Sequence, residues 1–227
     1  MRAHFPAGVV LALLASPAFP QLFLQQTVTA TGSATVAATP NQAMIYIGVV
    51  TQARTAQDAT SQNASLVQAV LAALSPIVGT NGTIQTVSYS VSPNYNYPQN
   101  GSPVLTGFTV TNTVMVTTND LTSIGKIIDA ATAAGANSIQ SLQFGLQNQQ
   151  PVVAQALQQA AMSAQSQAGA IATGLGLHTT RVISAQEGSS VQPIVTQVAG
   201  TANTSTTIQP GTLQIQASVT VVMEVSQ

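Results

Sequence analysis

The sequence has no cysteine, no tryptophan and very few charges: four Lys or Arg and five Asp or Glu among 227 residues. Without cysteine, the chain has no disulfide, no thiolate nucleophile and no thiolate metal ligand. Four cations cannot build the positive field that binding to nucleic acid or to an anionic membrane surface requires. The sequence therefore excludes nucleic acid as a partner and thiol chemistry as an activity.

Apolar residues, by contrast, are as common as in ordinary globular proteins, at 45% of the chain. The charged fraction is 4%, where about 25% is usual, so Gln, Asn, Ser and Thr must supply the polar surface. A chain of this length buries roughly 70% of the surface that its unfolded form exposes. We therefore expect a single domain over residues 27–227 that needs neither metal nor disulfide for its stability.

Residues 1–20 have the pattern of a secretory signal peptide. Arg2 gives a short positive start, residues 7–15 (AGVVLALLA) are apolar, and Ser16 and Ala18 suit the −3 and −1 positions of a cleavage site. An apolar N-terminal strand and an uncleaved anchor are the alternatives. The apolar run is shorter than the roughly 20 residues that span a bilayer, and no later segment resembles a span. The prediction is an exported protein whose mature chain has no transmembrane segment.

Apolar periodicities predict seven strands and three helices. The predicted strands cover 27–37, 43–50, 83–91, 105–118, 138–146, 181–186 and 213–225, the strand at 138–146 with a bulge near Ser141. The first predicted helix begins near Arg54 and ends at Pro76 and Gly79. The second begins near Asp120 and ends at Gly135. The third begins near Pro151 and ends at Gly174 with Gly176. The strand at 43–50 is apolar on both faces, which is typical of a central strand covered on both sides. Residues 92–103 and 188–211 are predicted loops, the second of them flexible.

The order of these elements favours an α+β fold. Neighbouring strands without a helix between them indicate a largely antiparallel or mixed sheet, with about three helices packed on it. A parallel sheet built of strand–helix–strand units is the weaker alternative.

The ionisable side chains match no known catalytic or metal-binding motif. His178 follows a glycine-containing turn and is predicted to be an exposed loop residue. The carboxylates have structural explanations, as a helix cap (Asp120), as partners of a nearby cation (Asp58 with Arg54, Asp129 with Lys126) or on the polar face of the last strand (Glu224). We therefore predict no catalytic, cofactor-binding or metal-binding residue and no cofactor. A metal would need ligands shared between subunits.

Three tyrosines surround the proline-rich loop at 92–103. Of these, Tyr95 and Tyr97 are candidates for contact with a partner, because tyrosine covers a large area at a small cost in side-chain entropy. Packing of the tyrosines within their own loop is the alternative explanation.

Several short stretches share their order and spacing with a known family. They are Val28–Gly32 (VTATG), Ile84–Thr86 leading to Tyr89 and Ser90, Pro93-x-Tyr95-x-Tyr97, Gly107-Phe108 with Asn112, Asp129–Ala131 leading to Gly135–Asn137, alanines at 160, 164, 168 and 172 before Leu175-Gly176, and Pro210-Gly211. Over about Thr27–Val225 the chain resembles the SIMPL-domain family (domain of unknown function 541).

The resemblance implies export to the periplasm or outer envelope of a bacterium. Members of the family are linked to oxidative-stress defence, to surface antigens or to oligomeric assemblies, and no accepted catalytic residues carry over. The chain departs from the family pattern at Asn41, where an acidic residue is usual, and in the long helix, which is rich in Gln and Ala in place of charged residues. A role that depends on charged helix faces is therefore not implied for this chain.

Together these observations predict an exported envelope protein that has no catalytic site and associates with itself. Low charge removes the repulsion that keeps copies apart, and the resemblance adds a link to envelope or oxidative stress. A second copy is the leading partner, and an envelope protein is the other. Two alternatives stay open: a binding module that uses loop 92–103 or 188–211, and an enzyme that brings His178 together with a carboxylate and a hydroxyl.

Overall fold

The computed structural model describes residues 26–99, 101–188, 193–196 and 208–227. The predicted signal peptide over residues 1–20 lies outside these residues. The elements in chain order are β1 (Thr27–Ala38), β2 (Gln42–Ala53), α1 (Ala56–Val78), β3 (Gly82–Asn96), β4 (Val104–Thr118), α2 (Ile124–Ala133), β5 (Ser138–Gly145), α3 (Gln150–Gly174), β6 (His178–Glu187), β7 (Pro193–Thr196) and β8 (Thr212–Ser226). Short 3-10 turns follow α1 (Gly79–Asn81) and precede α2 (Leu121–Ser123).

The described strands form two antiparallel sheets, each with its own helices. The first sheet has the order β3-β4-β2-β5 and shares one core with α1 and α2. In the second sheet β8 is flanked by β1 on one edge and by β6 and β7 on the other, and α3 packs on it. The predicted α+β class is confirmed. The strands divide between two sheets because β1 pairs with β8, at the far end of the chain, and not with β2.

β2 lies at the centre of the first core. Every second side chain from Ala43 to Val49 is completely buried, in one cluster with α1 and α2. Between them, Met44 and Tyr46 are only half-buried. The predicted central position is confirmed, since β2 lies between β4 and β5. The prediction that both of its faces are covered is wrong, because both helices pack on the same face. The bulge predicted near Ser141 is confirmed by a register shift between β2 and β5.

α1 begins at the N-cap Thr55 and ends at a glycine. The Thr55 hydroxyl accepts a hydrogen bond from the Asp58 backbone N–H at 3.1 Å and donates one to the Asp58 carboxylate at 2.7 Å. Asp58 therefore binds Thr55 and not the predicted partner, Arg54. The helix ends at Gly79, whose φ of 51° is strained for any other residue. Pro76 lies inside the last turn and does not end the helix.

Within the described chain, one helical segment is long and apolar enough to cross a membrane by length and composition alone: α1 with its 3-10 turn, Ala56–Asn81. Core helices meet the same criteria. α1 buries Val67, Val70 and Leu74 in the first core, and this packing accounts for its apolar composition. That the mature chain has no transmembrane segment stays a prediction.

α3 packs on the second sheet through alanine. Its five buried residues recur at every fourth position, Ala156, Ala160, Ala164, Ala168 and Ala172. On β1, Gly32 faces this row so closely that a Cβ there would lie 2.8 Å from the Ala164 Cα. Small residues on both elements thus let the backbones of helix and strand approach each other.

Both predicted loops contain strand residues. β3 continues to Asn96 and β4 begins at Val104, so the first loop shortens to 97–103. Pro93 is tolerated because β3 is an edge strand. Within the second loop, β7 pairs with β8 at Pro193–Thr196. Residues 189–192 and 197–207 lie outside the described residues, and the flexibility of this loop stays a prediction.

Candidate functional site

His178, the one histidine in the described part of the chain, lies on the edge strand β6. It is the exposed first residue of that strand, opposite Ser226 of β8, and therefore not in a loop as predicted. Among the residues that the structure describes, no group of three or more His, Asp or Glu side chains is arranged to hold a metal. A solvent-exposed strand residue lacks the enclosed surroundings that tune a general acid or base. The position of His178 therefore does not support the catalytic alternative.

The carboxylates serve local structural roles. Glu224 forms an ion pair with Arg181 across β8 and β6, the one ion pair between described residues. The predicted pairing of Asp129 with Lys126 is therefore absent, as is that of Asp58. Exposed ion pairs gain little because water screens them and their side chains lose entropy.

Asp120 caps the 3-10 turn that leads into α2, as its sequence position indicates. Its carboxylate accepts hydrogen bonds from the Thr122 hydroxyl at 2.6 Å and from the Thr122 backbone N–H at 3.0 Å. These bonds stabilise the ionised form and hold the pKa of Asp120 below its ordinary value.

The lowered pKa of Asp120 predicts a contribution to stability that acid removes. The contribution is complete above the unfolded-state pKa of about 3.9 and is lost as the pH falls through the folded-state value. Asp120→Asn should keep the cap, since asparagine caps well. It should lose the pH-dependent part of the contribution that Asp120 makes to the free energy of unfolding. Urea unfolding of both proteins near neutral pH and near pH 2 measures this. The difference in unfolding free energy should shrink in acid, and a constant difference would contradict the assignment.

β3 and β4 extend past the end of β2 as a two-stranded arm, residues 94–107, all of them described except residue 100. The last residue of β2, Ala53, lies opposite Phe108. Beyond this point Asn94–Asn96 pair only with the first residues of β4. The arm therefore lies outside both cores.

The arm exposes the tyrosines that the sequence singles out. Tyr95 is 48% exposed and Tyr97 is 73% exposed. Their ring centroids lie 6.4 Å apart with an interplanar angle of 51°, a favourable tilted aromatic pair. Leu105, which lies opposite Tyr95 on β4, is exposed on the same face. The structure thus brings Tyr95 and Tyr97 together on an apolar surface.

Hydrogen bonds fix the base of the arm. The Asn94 side chain exchanges two hydrogen bonds with the Thr109 hydroxyl, at 2.8 and 3.0 Å, and the Thr106 hydroxyl donates to the Asn94 backbone oxygen at 3.0 Å. At Gly107 a Cβ would lie 2.7 Å from the Ala53 backbone oxygen. These contacts hold the arm in line with the first sheet.

A cavity of about 300 Å³ lies between α1 and the strands β3 and β4. α1 contributes Asn63, Ala64, Val67 and Leu71 to its wall, β3 contributes Tyr89, and β4 contributes Asn112. This volume is at the lower end of the range typical of small-molecule sites, about 300–1,000 Å³. None of the carboxylates, and not His178, lines it.

Two amide oxygens at this cavity have no hydrogen-bond donor within the described protein. The Asn63 side chain is completely buried, and its Nδ2 donates to the Val49 backbone oxygen at 2.9 Å. The Oδ1 atoms of Asn63 and Asn112 are buried and unpaired. The sequence prediction missed this site. Its one signal was Asn63, an amide in the apolar stripe of α1, four residues from both Ala59 and Val67.

Comparison with known proteins identifies relatives over most of the chain. Residues 28–223 match the model of a family described as SIMPL, a protein of unknown function (DUF541). The 26 kDa periplasmic immunogenic protein of Brucella melitensis is 27% identical over 99% of this chain and 96% of its own length, and the Brucella abortus protein of that name matches equally. The uncharacterized protein YggE of Edwardsiella ictaluri is 30% identical over 66% of this chain and 63% of its own length.

These comparisons confirm the resemblance drawn from the sequence. The names of the two Brucella relatives also confirm the predicted export to the periplasm of a bacterium. The family description assigns no activity.

Proposed function

The chain belongs to the SIMPL family, and on that premise we propose that it is a periplasmic protein that associates with further copies of itself through the arm and catalyses no reaction. A second copy of the chain is its leading partner. The names of the two Brucella relatives support the compartment, and the exposed tyrosines of the arm support the contact surface.

The exposed apolar surface of the arm carries this proposal. Tyr97 is 73% exposed, and the base of the arm is fixed by the bonds of Asn94. Rigid, exposed tyrosines are typical of residues that dominate the binding energy of protein interfaces, because they bury a large area without losing much entropy. A partner that covers Tyr95 and Tyr97 would remove this apolar surface from water.

Low charge favours a second copy as the partner. Residues 94–107 include no charged side chain, and the whole chain has a formal net charge of −1. Two arms therefore approach each other without the electrostatic repulsion that keeps most soluble proteins apart.

The mass of the protein in solution tests the proposal. Size-exclusion chromatography with light scattering on the chain without residues 1–20 should give a mass above that of one chain, rising with concentration. A constant monomer mass up to the highest soluble concentration would contradict self-association.

A second candidate function is the binding of another envelope protein by the same region. β3 is an edge strand that is exposed from Gln85 to Pro93, and such an edge can pair with a strand of a partner. A monomeric chain that loses a captured envelope protein when Tyr95 and Tyr97 are replaced would favour this candidate over self-association.

The non-catalytic part of the proposal is supported by the placement of the ionisable groups. Asp58 binds the helix cap Thr55, Asp120 caps the turn before α2, Glu224 pairs with Arg181, and His178 is exposed on an edge strand. A link to oxidative stress would not involve thiols, because the chain has no cysteine. Its five methionines offer only sulfoxide formation.

A further inference from the structure

The cavity beside α1 is the one feature whose chemistry the proposed function does not use. It lies under α1 on the first sheet and does not include Tyr95 or Tyr97. A core position in this stripe would be filled most simply by an apolar residue, as at Val67 and Val70. Asn63 and Asn112 instead bury amide oxygens that have no hydrogen-bond donor within the described protein, which destabilises the folded chain.

The hydrogen bond to Val49 fixes which end of the Asn63 amide is unpaired. Nδ2 must face the Val49 backbone oxygen, since a flipped amide would place two acceptors against each other. Oδ1 is therefore the free group, and it can only accept. A molecule that satisfies Asn63 must bring a hydrogen-bond donor.

The remaining wall requires the molecule to be uncharged and partly apolar. Among the residues that the structure describes, no Asp, Glu, Lys, Arg or His lines the cavity. A charged group there would lose its hydration without gaining a counter-charge. Val67 and Leu71 provide apolar surface beside the amides.

Access to the two amide oxygens depends on the side chains at the rim of the cavity. Both unpaired oxygens are covered by neighbouring atoms, so a ligand reaches them when rim side chains turn aside. Tyr89 lies on the edge strand β3 with 51% of its surface exposed, and Gln68 is exposed on α1. Side-chain rotations of this kind are common on binding.

We propose that this cavity binds a neutral small molecule that presents N–H groups, as a primary carboxamide does, to Oδ1 of Asn63 and of Asn112, with an adjoining apolar group against Val67 and Leu71. The site is separate from the arm and does not depend on self-association.

Two probes of almost equal shape test the donor requirement. Benzamide and acetophenone differ by an NH2 group in place of a methyl group. In ligand-observed saturation-transfer NMR, which works whatever the mass of the assembly, benzamide should bind with a dissociation constant on the order of millimolar. Acetophenone should bind at least about tenfold more weakly, because it leaves both oxygens unpaired. Equal binding of the two probes would overturn the proposal.

Matched variants locate the binding. Ala64→Phe places a ring at the cavity and should abolish benzamide binding, whereas Ala72→Phe, exposed on the same helix but not lining the cavity, should leave it unchanged. Asn112→Val removes one of the two acceptors and should weaken benzamide binding, though not to the level of acetophenone, because the amide still donates to Asn63. Circular dichroism establishes that each variant is folded. Unchanged benzamide binding in Ala64→Phe would overturn the proposal. So would the absence of a signal for either probe at about ten times the expected dissociation constant, which would mean that ordered water alone satisfies the amides.

Discussion

Replacing Gly32 with alanine should lower the free energy of unfolding by about 3 kcal/mol, the upper end of the usual cost of overpacking. A Cβ at this position would meet backbone atoms of α3, among them the Ala164 Cα at 2.8 Å. Helix backbone cannot turn aside as a side chain can, so α3 would have to move away from β1 and open the second core. Urea unfolding followed by circular dichroism measures the change. In a chain of this size it corresponds to roughly 6–12 °C in Tm.

Gly169, which lies on α3, provides the matched control for Gly32. A Cβ there meets nothing within 4 Å, so Gly169→Ala should stabilise the protein by about 0.5–1 kcal/mol through higher helix propensity. Changes of opposite sign in the free energy of unfolding would support the close packing of α3 against Gly32. A Gly32→Ala protein as stable as the wild type would contradict it.

Replacing Tyr95 and Tyr97 together with serine should weaken self-association by at least about 2 kcal/mol, or roughly 30-fold in the dissociation constant. The double substitution removes both exposed rings of the arm while leaving the bonds of Asn94 in place. The first core should not change, because neither tyrosine belongs to it. Sedimentation equilibrium measures the dissociation constant, and urea unfolding of the dilute protein measures the stability of the core.

Leu175→Ser is the control for this prediction. Leu175 is an apolar residue of comparable exposure, 66%, at the end of α3. Its replacement should leave the association constant within about twofold of the wild-type value, as expected for residues outside an interface core. An equal effect of both variants would indicate non-specific apolar association and not a contact through the arm.

The cores were the most predictable part of the fold. β8 alternates from Leu213 to Val225, so local periodicity alone identified its buried face. In α3 the buried alanines at 160, 164, 168 and 172 are those that the family resemblance singled out. Glycine at the end of α1 and the cap at Asp120 were equally local signals. In each case the determining contacts lie within a few residues along the chain.

The division into two sheets and the length of the arm were not predictable in this way. The pairing of β1 with β8 joins Thr27 to Glu224, and nothing in either segment specifies a partner so distant. Residues 92–96 contain Pro93 and two asparagines, which are typical of turns. They are strand here because β4 supplies hydrogen bonds and the outer edge of β3 requires none. Nonlocal pairing therefore outweighed local preference.

The candidate site was predictable only in part. Tyr95 and Tyr97 followed from composition, because large aromatic residues in a polar loop are unusual. The cavity did not, because it depends on Asn63 of α1 meeting Tyr89 and Asn112 of the sheet. One amide in an apolar stripe is not sufficient to predict a cavity.

A fluorescent label near the tip of the arm tests whether copies of the chain meet through it. The chain has no cysteine, so Gln99→Cys introduces one labelling site beside Tyr97 without removing either tyrosine, and Gln158→Cys on the exposed face of α3 serves as the control. With an environment-sensitive dye at each position, unlabelled protein is titrated into a trace of labelled protein. The account predicts a saturable spectral shift at position 99 and none at position 158. A shift at 158 alone, or at neither position while the mass increases, would show that the copies associate through another surface.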